Sequence, residues 1–157
     1  MLQIERIQQL MEEVGPTGDF LGVDAYPGEG IWHIAIDELT DVFVEMAPAR
    51  GVLVVTGQIG KPAGGDIKAL YELFLSYAHA WDASEGLRMS LDATDGKLWL
   101  LFDCTAHDIT PVDFVHLLTR FTSKLQAWRE IVAMHAQAHS AEPERLESLL
   151  ASVSLRG

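Results

Sequence analysis

The sequence predicts an α+β sandwich: helices packed on an antiparallel sheet in the order α-β-β-β-α-β-β-α, plus a short C-terminal extra helix. Three observations predict it. Apolar residues recur at spacings of three and four in well-separated segments, which marks amphipathic helices. Between those segments lie short β-branched and aromatic runs bounded by Gly, Pro and Asp. The links between the runs are short, which favours antiparallel neighbours over crossovers. A chain of 157 residues suits one domain, expected over 1–140, with a helical extension over 141–157.

The elements follow in order. Ile4, Ile7, Leu10, Met11 and Val14 give the first helix its apolar stripe, and Gly15-Pro16 supplies a stop. Residues 17–30 are rich in Gly, Pro and Asp and are expected to form a loop. Three strands are expected at Ile31–Ile36, Val42–Met46 and Val52–Thr56, forming a meander. Residues 57–65, with glycines at 57, 60, 64 and 65, form the expected flexible link. Asp66 then caps a helix bearing Ile67, Leu70, Phe74, Tyr77 and Trp81. Leu87–Leu91 and Lys97–Asp103 read as a hairpin about Asp95-Gly96, a pair suited to a turn that needs positive φ. In the second of these strands both faces are apolar: Leu98, Leu100 and Phe102 on one, Trp99 and Leu101 on the other. Thr110-Pro111-Val112-Asp113 opens a long helix with cap, first-turn proline and acidic start. Its stripe runs from Phe114 through Leu117, Leu118, Phe121, Leu125 and Trp128 to Val132. Pro143 starts the predicted terminal helix, with Leu146, Leu149, Leu150 and Val153 on one face.

Composition excludes several classes of function. Eleven Lys and Arg stand against 23 Asp and Glu, a formal charge of −12, so neither a phosphate backbone nor an anionic membrane is a natural partner. The acidity is uneven: residues 1–109 hold 18 acids and 6 bases, residues 110–157 five of each. One cysteine, Cys104, precludes an internal disulfide. The N-terminal residues lack the pattern of a secretory signal, and no apolar run approaches the roughly 20 residues of a membrane helix. A reducing cytoplasm is the expected compartment. A positive mean hydropathy, +0.13, in so acidic a chain implies apolar surface hidden against a partner or second subunit.

Three clusters invite a chemical reading. Cys104, His107 and Asp108 could supply thiol, base and orienting group in one loop, or could cap the long helix. His135 and His139 share a helical face and could grip zinc, but no third ligand stands at a recognised spacing, so no metal is expected. Gly60-Lys61 lacks the following Ser or Thr of a phosphate loop. Against these weak signals stands a surplus of bulk, in Trp32, Phe43, Trp99 and the stretch from Tyr77 to Trp81, which favours a binding protein.

One stretch carries the most telling pattern. Leu91-Asp92-Ala93-Thr94-Asp95-Gly96-Lys97-Leu98-Trp99-Leu100 is followed by Ile109-Thr110-Pro111-Val112-Asp113-Phe114, and then by Leu117-Leu118 and Phe121 through Trp128. With its size, acidity and element order, the chain resembles the class I effector chaperones of bacterial type III secretion, the Tir-chaperone-like family. The resemblance covers residues 1 to about 135 in topology. It implies a homodimer in the cytoplasm of a Gram-negative bacterium that holds the N-terminal segment of one or more secreted effectors extended, without cofactor or catalysis. The secretion ATPase would be a further partner. The family's dimer element corresponds to the second helix, through Leu70, Phe74, Tyr77 and Trp81, with Trp99 assisting. Effector contacts would fall on Ile4, Ile7, Trp32, Phe43 and Leu53; strand parity leaves open whether these face a partner or the core. Two other readings stand beside it: a regulator of the same fold that sequesters a secretion component, and a small Cys/His enzyme.

Overall fold

Ile4–Gly18 forms helix α1 in the computed structural model, which describes residues 4–26 and 28–154, with side chains described for all of these except 81, 83 and 138–154. Ile7, Leu10, Met11 and Val14 are buried, as their spacing predicts. The helix runs through Pro16 and ends a turn later than the Gly15-Pro16 signal. A proline in the last turn removes only one hydrogen bond there. The true stop is Asp19, in the left-handed region at φ 54°, with Phe20 N donating to Gly15 O at 3.1 Å.

The sheet has six strands, one more than the sequence suggests. β1 (Gly22–Tyr26), β2 (Ile31–Ala35), β3 (Asp41–Ala47) and β4 (Val52–Gly60) form a meander, and β5 (Arg88–Leu91) and β6 (Leu98–Thr105) complete it. All neighbours are antiparallel, in the spatial order β1-β2-β3-β4-β6-β5. β1 lies inside the segment expected to be loop. β4 also continues into the expected glycine link, through Gly57 to a register shift between Gln58 and Gly60. The β5–β6 turn is longer than a two-residue hairpin: Asp92 N donates to Lys97 O and Gly96 N to Asp92 O, both at 2.8 Å. Gly96, at φ 75°, is the residue of that turn with positive φ; Asp95 is not.

Helix α2 (Ile67–His79) starts where Asp66 accepts from Ala69 N at 3.0 Å. It stops at Ala80, so Trp81 belongs to a separate one-turn helix, α3 (Trp81–Ser84), rather than to the stripe of α2. Helix α4 (Pro111–Ser154) begins with the expected cap, Asp113 N donating to Thr110 Oγ1 at 3.1 Å. It runs unbroken to Ser154, so the predicted short C-terminal helix is its continuation rather than a separate element. The side chains assigned to that helix's apolar face lie outside the described residues.

Helices α1, α2 and α4 all lie on one face of the sheet. Trp32, Ile34, Val42, Val44, Leu53, Val55, Leu98 and Leu100 point into them, and Phe114, Leu118, Phe121, Leu125 and Trp128 of α4 close the core. Trp128 is packed by Phe74 and Tyr77 of α2, with ring centroids 4.6 and 5.0 Å apart. α4 packs directly on the β4 backbone at Gly57, where an added Cβ would lie 2.6 Å from Leu125 Cδ2 and 3.1 Å from Phe121 Cε1. Just beyond, Arg129 donates twice to the Gln58 carbonyl, at 3.0 and 2.9 Å, and once to Leu39 O at 3.3 Å. The strand irregularity thus gives α4 a carbonyl to hold.

Gly57→Ala should force Leu125 and Phe121 off their rotamers and cost about 1–3 kcal/mol. Urea denaturation of the two proteins checks this; an unchanged midpoint would mean that α4 does not depend on contact at this point.

Candidate functional site

The helices cover one face of the sheet, which leaves both of its edges and its other face to consider. β1 pairs with β2 on one side and with no strand on the other among the described residues. A groove of about 400 Å³ runs between this edge and α1, lined by Met11, Gly15, Pro16, Phe20, Gly22, Val23, Ala25 and Trp32, with Gln8, Glu12 and Asp19 at its polar margin. Trp32 Nε1 donates to Gln8 Oε1 at 3.1 Å, so the buried indole is satisfied and the groove floor is closed. Leu21 and Tyr26 stand exposed at the two ends of the strand. By alternation Val23 and Ala25 are the β1 side chains on the groove side, and Ala25 is exposed, so the groove is open there.

At the opposite edge, a shallower and almost wholly apolar groove of about 200 Å³ lies between α2 and β5. It is lined by Tyr71, Phe74, Leu75, Met89, Ser90, Leu91 and Leu98. Leu75 is 71% exposed, and Ile67, Leu73 and Leu91 are exposed beside it. α2 is therefore apolar on two sides: Leu70 and Phe74 face its own core, while Leu73 and Leu75 face outward.

The uncovered sheet face carries Tyr26, Ile31, Phe43, Val54, Trp99 and Leu101 by alternation, among charged residues. Asp103 there pairs with both Arg50 and Arg88. His33 stacks on Phe43 at 5.0 Å and lies 2.9 Å from Asp41 and 3.6 Å from Asp24.

The sequence-selected residues separate onto these surfaces. Ile7, Trp32 and Leu53 are sealed in the core of the single chain, and Ile4 packs against it. Phe43 lies on the opposite face of the sheet from Trp32 and Leu53, because β3 pairs Val44, not Phe43, with Trp32. Leu70 and Phe74 are buried within the chain, Tyr77 is half-buried against Trp128, and Trp99 is half-buried on the open face. The Trp81 side chain lies outside the described residues. The sequence reading missed Phe20, Gly22 and Val23 at the β1 edge, and Leu73, Leu75 and Leu91 at the other. Leu73 and Leu75 were readable as a second apolar side of α2, since a helix hydrophobic all round is covered all round.

The Cys/His arrangement does not assemble. Cys104 is on the core side of β6, opposite Leu53, and burial pushes its thiol up to about 11. His107 and Asp108 are exposed and pair with each other at 2.9 Å. A nucleophile needs a thiolate within reach of a base, and this thiol is protonated and buried away from the imidazole. His135 is likewise engaged, Nε2 lying 2.7 Å from Asp66 O, and no group of three metal-ligating side chains exists among the described residues. Among those residues, no helix is long and apolar enough to cross a membrane.

Bare edges flanked by apolar grooves define a module for binding other proteins. The model of the Tir chaperone protein (CesT) family matches residues 18–129, and the chain belongs to that family of type III secretion chaperones. No curated protein matches the chain. Among solved structures it is similar to a chain of "Structure of the HopA1-SchA Chaperone-Effector Complex", at 14% identity and TM-score 0.65, covering 83% of this chain and 99% of that one. It is also similar to a chain of "Crystal Structure of the ExsC-ExsE Complex", at 17% identity and TM-score 0.72, covering 84% and 97% respectively. At these identities the likeness is one of fold.

Native Cys104 should resist iodoacetamide near pH 8 and react only once the chain is unfolded. Because folding raises the thiol's pKa from 9.0 to about 11, its contribution to stability is complete below pH 9 and declines as pH rises toward 11. The decline should not exceed about 1.4 kcal/mol per pH unit, and a Cys104→Ala protein should lack it. Rapid alkylation of the native protein would contradict the buried placement.

Proposed function

We propose that the protein is a homodimeric cytoplasmic chaperone that holds the N-terminal segment of one or more secreted effectors extended along the β1 edge. The observation that carries this reading is the unpaired edge of β1 beside the groove under α1, within a Tir-chaperone fold. An extended segment can add a strand to such an edge, its backbone bonding to β1 and alternate side chains entering the groove. In this position the segment is kept from folding or aggregating while its far end stays free for export. Phe20, Val23 and Ala25 offer apolar contact there, over a floor closed by the buried Met11 and Trp32. The dimer contact we assign to the outward side of α2 and to β5, through Leu75, Leu73 and Leu91. Tyr77 and Trp99 remain candidates at its margin, whereas Leu70 and Phe74 support α2 from within. Among its fold relatives, one solved complex is described as chaperone–effector, which is consistent with this use of the fold.

Two substitutions separate the surfaces. Ala25→Trp adds a ring at an exposed position on the groove side of β1, so the protein should fold and dimerise normally while losing capture of a co-expressed effector N-terminal segment. Undiminished co-purification would remove β1 from the binding site. Leu75→Asp should weaken self-association about ten- to hundredfold, the loss expected when one buried leucine is withdrawn from an interface. Sedimentation velocity reads this directly, and a dimer of unchanged strength would reassign the contact.

A further inference from the structure

The β1 edge is not only apolar but surrounded by unmatched negative charge. Residues 7–49, which form most of α1 and the whole of β1, β2 and β3, hold nine carboxylates and no Lys or Arg. Glu12 and Asp19 line the groove on the helix side. Asp24 projects from β1 itself toward the open face, with Asp41 beyond it across His33. The neighbours that these groups do have are weak or neutral: Gln8 for Glu12 at 3.1 Å, and His33 for Asp24 and Asp41. Every Lys or Arg ion pair among the described residues lies elsewhere, at Asp103, Glu72, Asp95 and Glu85. Of the nine, Asp37, in the turn between β2 and β3, has Arg129 within electrostatic reach.

We infer that the segment bound at the β1 edge is a basic amphipathic strand, with apolar residues at every second position and Lys or Arg between them. This rests on the proposed use of that edge. The side-chain period of a strand is two, so an added strand sends one set of side chains into the α1 groove and the other onto the open face beside Asp24. The first set meets Phe20, Val23 and Ala25 over the buried Met11 and Trp32, with Glu12 and Asp19 at the rim. The second meets carboxylates that have no Lys or Arg counter-charge in the chain. An acidic strand would place like charges side by side along its whole length, which is destabilising. Complementary charge also speeds encounter and rejects wrong partners more than it deepens affinity, which suits a site that must select a segment and later release it.

The test uses the full-length protein and two short fluorescent peptides with identical alternating Val and Leu positions, one carrying Lys and Arg between them and the other Glu. At low salt the basic peptide should bind at least about tenfold more tightly, and raising the salt to about 0.5 M should erase most of that difference. The isosteric variants Glu12→Gln, Asp19→Asn and Asp24→Asn should each cut the preference by about two- to fivefold. All three positions are exposed, and asparagine tolerates the left-handed backbone at 19, so folding should be intact by circular dichroism. Equal binding of both peptides, or a preference that survives all three substitutions, overturns the inference and leaves the edge-binding reading standing. Binding of neither peptide also overturns it; if Ala25→Trp then still captures the effector, the edge-binding reading falls as well.

Discussion

The seating of α4 on the sheet at Gly57 is the contact on which the rest of the molecule depends. With no side chain on β4 at that point, Leu125 and Phe121 reach the backbone itself, and the helix lies low across the middle of the sheet. Packing in protein interiors is close to crystalline, so one missing Cβ is enough to set the height of a helix. Arg129 then fixes the helix along its axis by holding a carbonyl that the β4 irregularity releases and the turn between β2 and β3. α1 packs against α4 on one flank, and α2 packs against Trp128 on the other. All helices are thereby gathered on one face, and the strands at the margins are left with exposed flanks.

Those margins are chemically unlike. The β5 edge offers leucines with few charges, the composition of a permanent contact that excludes water. The β1 edge offers a narrower groove with carboxylates on both sides of a short strand. A surface of the first kind suits a second copy of the same chain, since its apolar area carries no charge that would meet itself across a two-fold axis. A surface of the second kind would repel its own copy. On the proposed reading, self-association at β5 and capture of a foreign strand at β1 would be kept apart by charge as well as by position, at opposite edges of the six-stranded sheet.

Much of this was legible in the sequence. The stripes of α1 and α4, the Asp66 and Thr110 caps and the strands of the meander all appear where periodicity and turn chemistry place them. What was not legible has physical causes. Val23 to Tyr26 became a strand because β2 offers it a partner along its full length, a tertiary gain that outweighs the flanking Gly and Pro. Pro16 stayed helical because it falls in a turn where little is lost. Parity across the meander could not be read from runs apolar on both faces, so Trp32, Phe43 and Leu53 looked like one patch although the sheet lies between them. The α2 stripe that the resemblance gave to a dimer contact is buried within the chain at Leu70 and Phe74, and the same periodicity concealed Leu73 and Leu75 as an outward side. A catalytic reading of Cys104 stayed open as a minor alternative because sequence adjacency to His107 says nothing about which side of β6 a thiol occupies.

The shortness of β1 bears on how such a chaperone would hold its client. Five residues supply only a few backbone hydrogen bonds, and each net bond contributes about 1 kcal/mol. Ordering a client residue costs about 1–2 kcal/mol of backbone entropy, so hydrogen bonds at one edge cannot by themselves hold an extended segment. The groove contacts must add to them, and a dimer would present a second, identical edge to a client chain long enough to span both. Tethering at one edge raises the effective concentration at the other, so two weak attachments yield a firm hold although either alone would dissociate readily. On this reading, dimerisation at the β5 edge is part of the binding mechanism. A protomer kept monomeric could retain its fold and its β1 groove and still fail to retain a client.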